Sequence, residues 1–404
     1  MITSGTRFDR VRPLAKRFGG AAGLAGMAML LGACAVGPDF ATPQPPVVGG
    51  FTPERLQSSS TAGGKTQRFT ADRDLPAEYW KLFRSPALNS LVSRALRDNP
   101  TIEAAGAAIR VAQANAYAQA GLLFPVASGG YQGIGGRAAS EVSTPLASTA
   151  SQYYTLHTAQ LTVSYVPDVW GGTRRQIENL EAVTENQRFM NEAAFLTLTS
   201  NIALGAIQEA SLRAQIAVTG RIVAIAKDIL DKVKLQKDLG QLAGLDVASQ
   251  EALVAQTEAA LPPLRKALAL QRDALTALSG HLPGEGLPER FEFSSFKLPR
   301  DLPLSLPSKL VAQRPDVRAA EENMRAASAL IGAAIANRLP QFSLTGDIGR
   351  SGTQFQNLFS GNPAFYFYTG IANASQVIFD GFTLQQKQRA AEAGFDQAAA
   401  QYRL

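Results

Sequence analysis

Residues Arg314 to Pro340 read RPDVRAAEENMRAASALIGAAIANRLP, and residues Asn99 to Pro125 read NPTIEAAGAAIRVAQANAYAQAGLLFP. A shift of 215 positions brings both prolines into register, Pro100 with Pro315 and Pro125 with Pro340. Without a gap it also aligns Ala104 with Ala319, Ala105 with Ala320, Arg110 with Arg325, Ala112 with Ala327, Ala114 with Ala329 and Ala118 with Ala333. Alanine matches between Ala-rich helices are cheap. Two prolines and an arginine at fixed spacing are not, and they mark an internal duplication.

Each copy places Pro in the first helical turn, where its missing N–H costs nothing. Each runs on as a small-residue helix for about seven turns and stops at a second Pro, which cannot continue it. After Pro340, Phe342, Leu344, Gly346 and Ile348 alternate with Ser343, Thr345, Asp347 and Gly349. That period of two predicts a strand with one apolar and one polar face. The unit is helix into strand, used twice.

The 404 residues include one Cys and two His, which excludes a disulfide framework and a Cys/His metal cluster. Five basic side chains (Arg7, Arg10, Arg12, Lys16, Arg17) precede the apolar run Phe18 to Leu31. The run is too short for a typical spanning helix, and residues 1–33 read as a signal peptide. It ends Leu31-Gly32-Ala33-Cys34, which resembles the bacterial lipobox, with Cys34 as the acylated mature N-terminus. By that resemblance, Ala35 rather than Asp after the Cys implies sorting to the outer membrane. Residues 1–33 hold +4 of the chain's net +6, leaving +2 on the mature protein. The pI near 9.4 therefore gives no support for nucleic-acid binding.

Residues 34–79 are rich in Pro, Gly, Ser and Thr and predict an extended leader with little core of its own. The first repeat spans 80–281: a helix over 85–123, strands with a hairpin loop over 124–169 and a coiled-coil hairpin over 172–280. Gly130, Gly133 and Gly135 lack the spacing of a dinucleotide loop and suit a Gly-tolerant strand. His157, Ala159, Leu161, Val163 and Tyr165 alternate with Thr158, Gln160, Thr162 and Ser164, the pattern of a transmembrane β-barrel strand. No Pro occurs from Gly172 to Gly240, and the apolar period there predicts one helix on the order of 100 Å. Asp246 reads as the N-cap of the returning helix. In that helix Val247, Val254, Leu261, Leu268 and Leu275 fall at seven-residue steps, a coiled-coil seam, with a kink expected at Pro262-Pro263. Residues 282–307 form a Pro-punctuated connector. The second repeat, 308–404, holds a helix over 315–338, strands over 341–379 and a helix from Gly381.

Several motifs resemble one family, the TolC-like outer-membrane factors of tripartite efflux systems, in their lipoprotein (nodulation-T-type) branch. Cys34-Ala-Val-Gly-Pro-Asp-Phe is similar to its lipidated start. Trp80-Lys-Leu-Phe-x-x-Pro-x-Leu with Asn99-Pro100 resembles its first helix. Gln313-Arg-Pro-Asp-Val-Arg-x-Ala-Glu and Ile331-Gly-x-Ala-x-Ala are similar to its most recognisable block, and Phe379-Asp-Gly to the entry of its second long helix. The resemblance implies a homotrimer in which four strands per protomer build a 12-stranded membrane β-barrel, continued by a long α-helical coiled-coil barrel. It implies a passive exit duct in the outer membrane, held by lipid on Cys34, reaching into the periplasm and docked to a periplasmic adaptor and an inner-membrane RND-type pump. It further implies adaptor contact at a hairpin tip formed by Gly240, Leu242, Gly244, Leu245 and Asp246, with Leu242 and Leu245 exposed. No cofactor, metal or nucleic acid is implied.

The two repeats are unequal. Gly171 to Gly280 spans 109 positions and Gly381 to Leu404 spans 23, so the second copy is 86 shorter. The expectation is a C-terminally truncated duct without the second coiled-coil hairpin. Alternative readings are the exit duct of a type I protein-secretion system and a non-channel, lipid-anchored coiled-coil lipoprotein. No Ser-His-Asp grouping, paired-carboxylate site or nucleotide loop supports an enzyme.

Overall fold

The computed structural model describes residues 35–44, 59–60, 66–71, 74–137, 153–304 and 312–404. The signal segment and Cys34 lie outside the described residues. In chain order the elements are β1 (Ser59–Ser60), β2 (Thr66–Ala71), α1 (Pro86–Asp98), α2 (Pro100–Gly121), β3 (Val126–Arg137), β4 (Tyr153–Tyr165) and α3 (Gly172–Asp238). There follow α4 (Gly244–Ala259), α5 (Leu261–Leu278), β5 (Asp301–Leu304), α6 (Pro315–Ala336), β6 (Gln341–Gly352), β7 (Tyr366–Ser375) and α7 (Thr383–Arg403).

The duplication is exact over two elements. α2 and α6 each have 22 residues, and β3 and β6 each have 12. Both pairs start 215 positions apart. The span 85–123, expected as one helix, is two. Asn99 is extended, with ψ 121°, because the ring of the following Pro100 excludes it from helical geometry.

The chain forms two compact units. The first gathers the described residues up to Ala41 with Gln113–Ala182 and Asn323–Leu404. Its centre is an antiparallel sheet in the order β3-β4-β6-β7. The register pairs Leu161 with Ile348 and Thr162 with Asp347 across β4 and β6, and Asp347 with Thr369 across β6 and β7. Since side chains alternate, this register puts Leu161, Val163, Leu344, Ile348 and Tyr368 on one face. Gln160, Thr162, Ser164, Thr345, Asp347 and Thr369 fall on the other, which Ile134, Leu156 and Ile371 interrupt. Where the strands meet the helices, the two repeats interlock. The indole Nε1 of Trp170 donates to the carbonyl of Pro340 at 2.7 Å. Asp168 accepts from the N–H groups of Thr173 and Arg174 at the start of α3, and Asp380 accepts from Leu384 N–H at the start of α7. Both carboxylates satisfy otherwise orphaned first-turn donors.

The second unit comprises the described residues of Thr42–Ala112 and Val183–Glu322. Its core joins Trp80, Leu88, Leu91 and Val92 to Leu198, Ile202 and Ala206 of α3 and Leu275 of α5. Leu287 and the fully buried Phe291 complete it. The connector is thus part of the core, and its strand β5 pairs in parallel with β2 of the leader. Neither was expected from sequence: Pro303 within a four-residue strand, and Pro-spaced single aromatics, hide any period.

A polar network runs through this core. Glu209 is fully buried, and its Oε1 accepts from Arg213 at 2.6 Å and from Arg272 at 2.8 Å. Arg272 also donates to the carbonyls of Leu287 and Glu289, and the Glu289 carboxylate pairs with Arg94 at 2.5 Å. One guanidinium therefore ties α3 and the connector to α5. Nearby, the Asn99 side chain serves two helices. Its Oδ1 accepts from Thr101 N–H at 2.8 Å, capping α2, while its Nδ2 donates to the Leu278 carbonyl at 2.9 Å, closing α5. Gly280 makes this approach possible: its φ is +85°, and a Cβ there would lie 2.3 Å from the Asp98 carbonyl oxygen.

Along the hairpin, Ala226 and Leu230 of α3 pack on Val247 and Val254 of α4. Lys227–Glu258 and Lys234–Glu251 ion pairs flank this seam. Leu261 and Leu268, expected in the same seam, are half-buried. The helix breaks at Ala260, just before Pro262-Pro263.

Replacing Arg272 with Ala removes a partner from a buried carboxylate and two anchors from the connector. The expected loss is about 3–5 kcal/mol, read as a lower urea midpoint for the helical signal of the purified protein.

Candidate functional site

Three features carry the functional argument: the polar sheet face, the hairpin tip and the segment that follows Cys34.

On the polar face, Thr162 Oγ1 donates to Asp347 Oδ1 at 2.6 Å and accepts from Gln160 Nε2 at 3.2 Å. Thr158 and Ser351 share a hydroxyl hydrogen bond at 3.0 Å. The face is a row of small hydrogen-bonding side chains, wettable along its middle. On the apolar face, aromatic side chains gather toward the β3–β4 hairpin end. Tyr131 stacks on His157, with its hydroxyl 2.9 Å from Nδ1, and Phe355 meets both rings edge-on. Aromatic groups at one end of an apolar band are the arrangement found at a membrane interface. No helix of the described residues is long and apolar enough to cross a membrane. No three His, Cys, Asp or Glu among them converge at metal-binding spacing.

The tip joins α3 to α4. Gly240 has φ +74°. Its N–H donates to the Lys237 carbonyl and that of Gln241 to the Gln236 carbonyl, the paired bonds that close a helix on a left-handed residue. Asp246 is not the N-cap expected from sequence. The helix begins at Gly244, so Asp246 stands in its first turn and reaches back to accept from Ala243 N–H at 3.0 Å. Leu245 is 76% exposed, and Leu239 and Leu235 are exposed beside it. Leu242, expected to be exposed, is half-buried. Leu239 lies one residue past the end of α3, where no apolar period singles it out in the sequence.

Behind Cys34, residues Ala35 to Asp39 form a strap. Val36 N–H donates to the Trp170 carbonyl at 3.0 Å. The side chain of Arg175, 7% exposed, reaches the Val36 and Gly37 carbonyls and pairs with Asp39 at 2.7 Å and Glu178 at 2.8 Å. Burial alone would lower the Arg175 pKa. The hydrogen bonds to Asp39 and Glu178 outweigh it, and the pKa is raised. Gly332 lets the strap pass: a Cβ there would sit 2.7 Å from the Val36 carbonyl oxygen, and one on Gly37 would sit 2.4 Å from the Gly332 Cα. The small-residue block of α6 thus has a reason that lies almost 300 positions away in sequence.

A sheet with one apolar, aromatic-edged face and one polar face, built into a duplicated helix–strand unit with a long coiled coil, defines a protomer of a TolC-like outer-membrane channel. The chain belongs to the outer membrane efflux protein family, whose profile matches residues 91–281 and 306–404. It is 30% identical over 365 residues to the pyoverdine export outer membrane protein OpmQ of Pseudomonas putida, covering 90% of this chain and 75% of that one. It is 26% identical to the toluene efflux pump outer membrane protein TtgF from another strain of Pseudomonas putida, covering 85% and 70%. The solved outer-membrane channel OprN superposes with a TM-score of 0.77 at 26% identity, over 92% of this chain and 79% of that one. The protein is an outer-membrane efflux duct component.

Gly332→Ala is expected to displace the strap and leave the helices in place. Hydrogen exchange should then speed up at the Val36 amide and stay slow along α6.

Proposed function

We propose that three copies of the chain close a 12-stranded barrel that acts as a passive exit duct for an RND-type pump, joined to it by a periplasmic adaptor. The observation that carries the reading is the sheet itself. Its outer strands, β3 and β7, are the two ends of a four-strand order. In hydrocarbon an open strand edge leaves N–H and C=O groups without partners, at several kcal/mol each, and closure into a barrel removes the edges. Four strands are too few to close alone, whereas three copies give twelve. The apolar face then meets lipid and the polar face lines the passage.

Acylation of Cys34 fits the strap, which holds Ala35 and Val36 beside Gly171 and Trp170, at the helix-side ends of the strands. Adaptor contact at Gly240, Leu242, Gly244, Leu245 and Asp246 is supported by the exposed Leu245 and by its neighbour Leu239. Exposed apolar side chains grouped at a polar hairpin end mark an interface. We assign the protein no reaction of its own; the energy and the choice of cargo belong to the pump.

Native mass spectrometry of the protein extracted from outer membranes tests closure and anchoring together. A trimer is expected, with acyl mass on each protomer that Cys34→Ser removes. A monomer would overturn the closure, and an unmodified Cys34 the anchor. Leu245→Asp is expected to leave the trimer intact and to reduce export from cells by at least tenfold. Full export would remove the tip from adaptor contact.

A further inference from the structure

Only one charged side chain lies on the polar face of the four strands. The inward set comprises alternate residues of β3 from Val126 to Gly136, of β4 from Tyr154 to Ser164, of β6 from Gln341 to Ser351 and of β7 from Phe367 to Ser375. In it, every residue but Asp347 is uncharged. The arginines of the sheet, Arg137 and Arg350, fall on the opposite face, and Arg350 Nη1 donates to the Ser360 carbonyl. The connection between β6 and β7 carries no charged residue, and residues 138–152 contribute only Glu141 by sequence.

Asp347 is also held in place. It stands directly opposite Thr162 on one side and Thr369 on the other. The Thr162 hydroxyl is oriented toward it, donating to Oδ1 while its own oxygen accepts from Gln160. The carboxylate is partly exposed among hydroxyl and amide groups, with no cation within ion-pair distance on this face among the described residues. A fixed, uncompensated negative charge on a wall raises the local concentration of cations and lowers that of anions, over about a screening length.

We propose that Asp347 sets the charge preference of the barrel, favouring cations over anions. This rests on the trimeric duct proposed above, in which three such carboxylates ring the passage. At roughly 0.1 M salt the screening length is about 10 Å, so the ring acts well into the lumen; at roughly 1 M it falls to about 3 Å and the bias fades.

The test is the reversal potential of the full-length protein in planar bilayers under a potassium chloride gradient, for the wild type, Asp347→Asn and Asp347→Glu. Asn keeps the acceptor for Thr162 and removes the charge; Glu keeps the charge and alters the fit. The expected result is a cation preference in the wild type, retained in the Glu variant. In the Asn variant it should be reduced about twofold or more near 0.1 M and little changed near 1 M. Channels whose selectivity is the same in all three proteins would overturn the proposal and leave the duct standing. A Glu variant that behaves as Asn does would also overturn it, because packing rather than charge would then set the preference. Absence of channels in the wild type would overturn the duct reading, and this proposal with it.

Discussion

The structure depends on a constraint imposed by hydrocarbon: every backbone polar group in the sheet needs a partner, because no water is available to supply one. Within the sheet, β4 and β6 are paired on both sides. β3 and β7 are each paired on one. The first-repeat and second-repeat hairpins therefore solve half of each other's problem through the β4–β6 ladder. The proposed closure with further copies would solve the rest. Duplication makes the solution repeatable, since each hairpin leaves one outer strand for a neighbour. Gly-rich β3 suits a wall whose side chains must be small as well as alternating.

The helical unit is organised in part by polar side chains. Asn99 caps two helices at once, and the fully buried Glu209 is held by Arg272 from the facing helix. Similar rungs recur within each unit: Asn186 donates to the Ala319 carbonyl in the second and Asn179 to the Ala326 carbonyl in the first. The alanines of α6 serve these bonds. A larger side chain at either position would hold the backbones too far apart for an amide to reach a carbonyl that is already used in its own helix. Burial of apolar area alone fixes neither register nor neighbour. Directed hydrogen bonds in a low-dielectric interior do both.

Much of this was legible in the sequence, for a specific reason. Period two is visible when one face meets lipid and the other water, so β4 and β6 could be read residue by residue, including the side on which Asp347 falls. The prolines at 100 and 315 fixed the starts of α2 and α6, and Pro100 itself explains why the preceding helix ends at Asp98. What stayed hidden has no period. β2 and β5 are short and pair across more than 200 positions. Phe291 is a single anchor in a loop. The Thr162 to Asp347 bond needs the register between two repeats, which neither repeat contains alone. Asp246 reads as the N-cap in sequence because Ala243, the residue that does precede the helix, has no side-chain acceptor.

The strap has a consequence for the order in which the protein is made. Val36 and Gly37 pack on Gly332, 295 positions later in the chain. A contact of such separation carries a large loop-closure cost and forms only after the intervening structure has collapsed. On a growing polypeptide the beginning cannot seat itself until the second repeat has been synthesised. The seated strap is therefore a completion mark: it reports that the late helix has reached its place beside the early one. A chain whose late helix has not arrived would keep its first residues loose, open to the proteases and chaperones that meet it on the way.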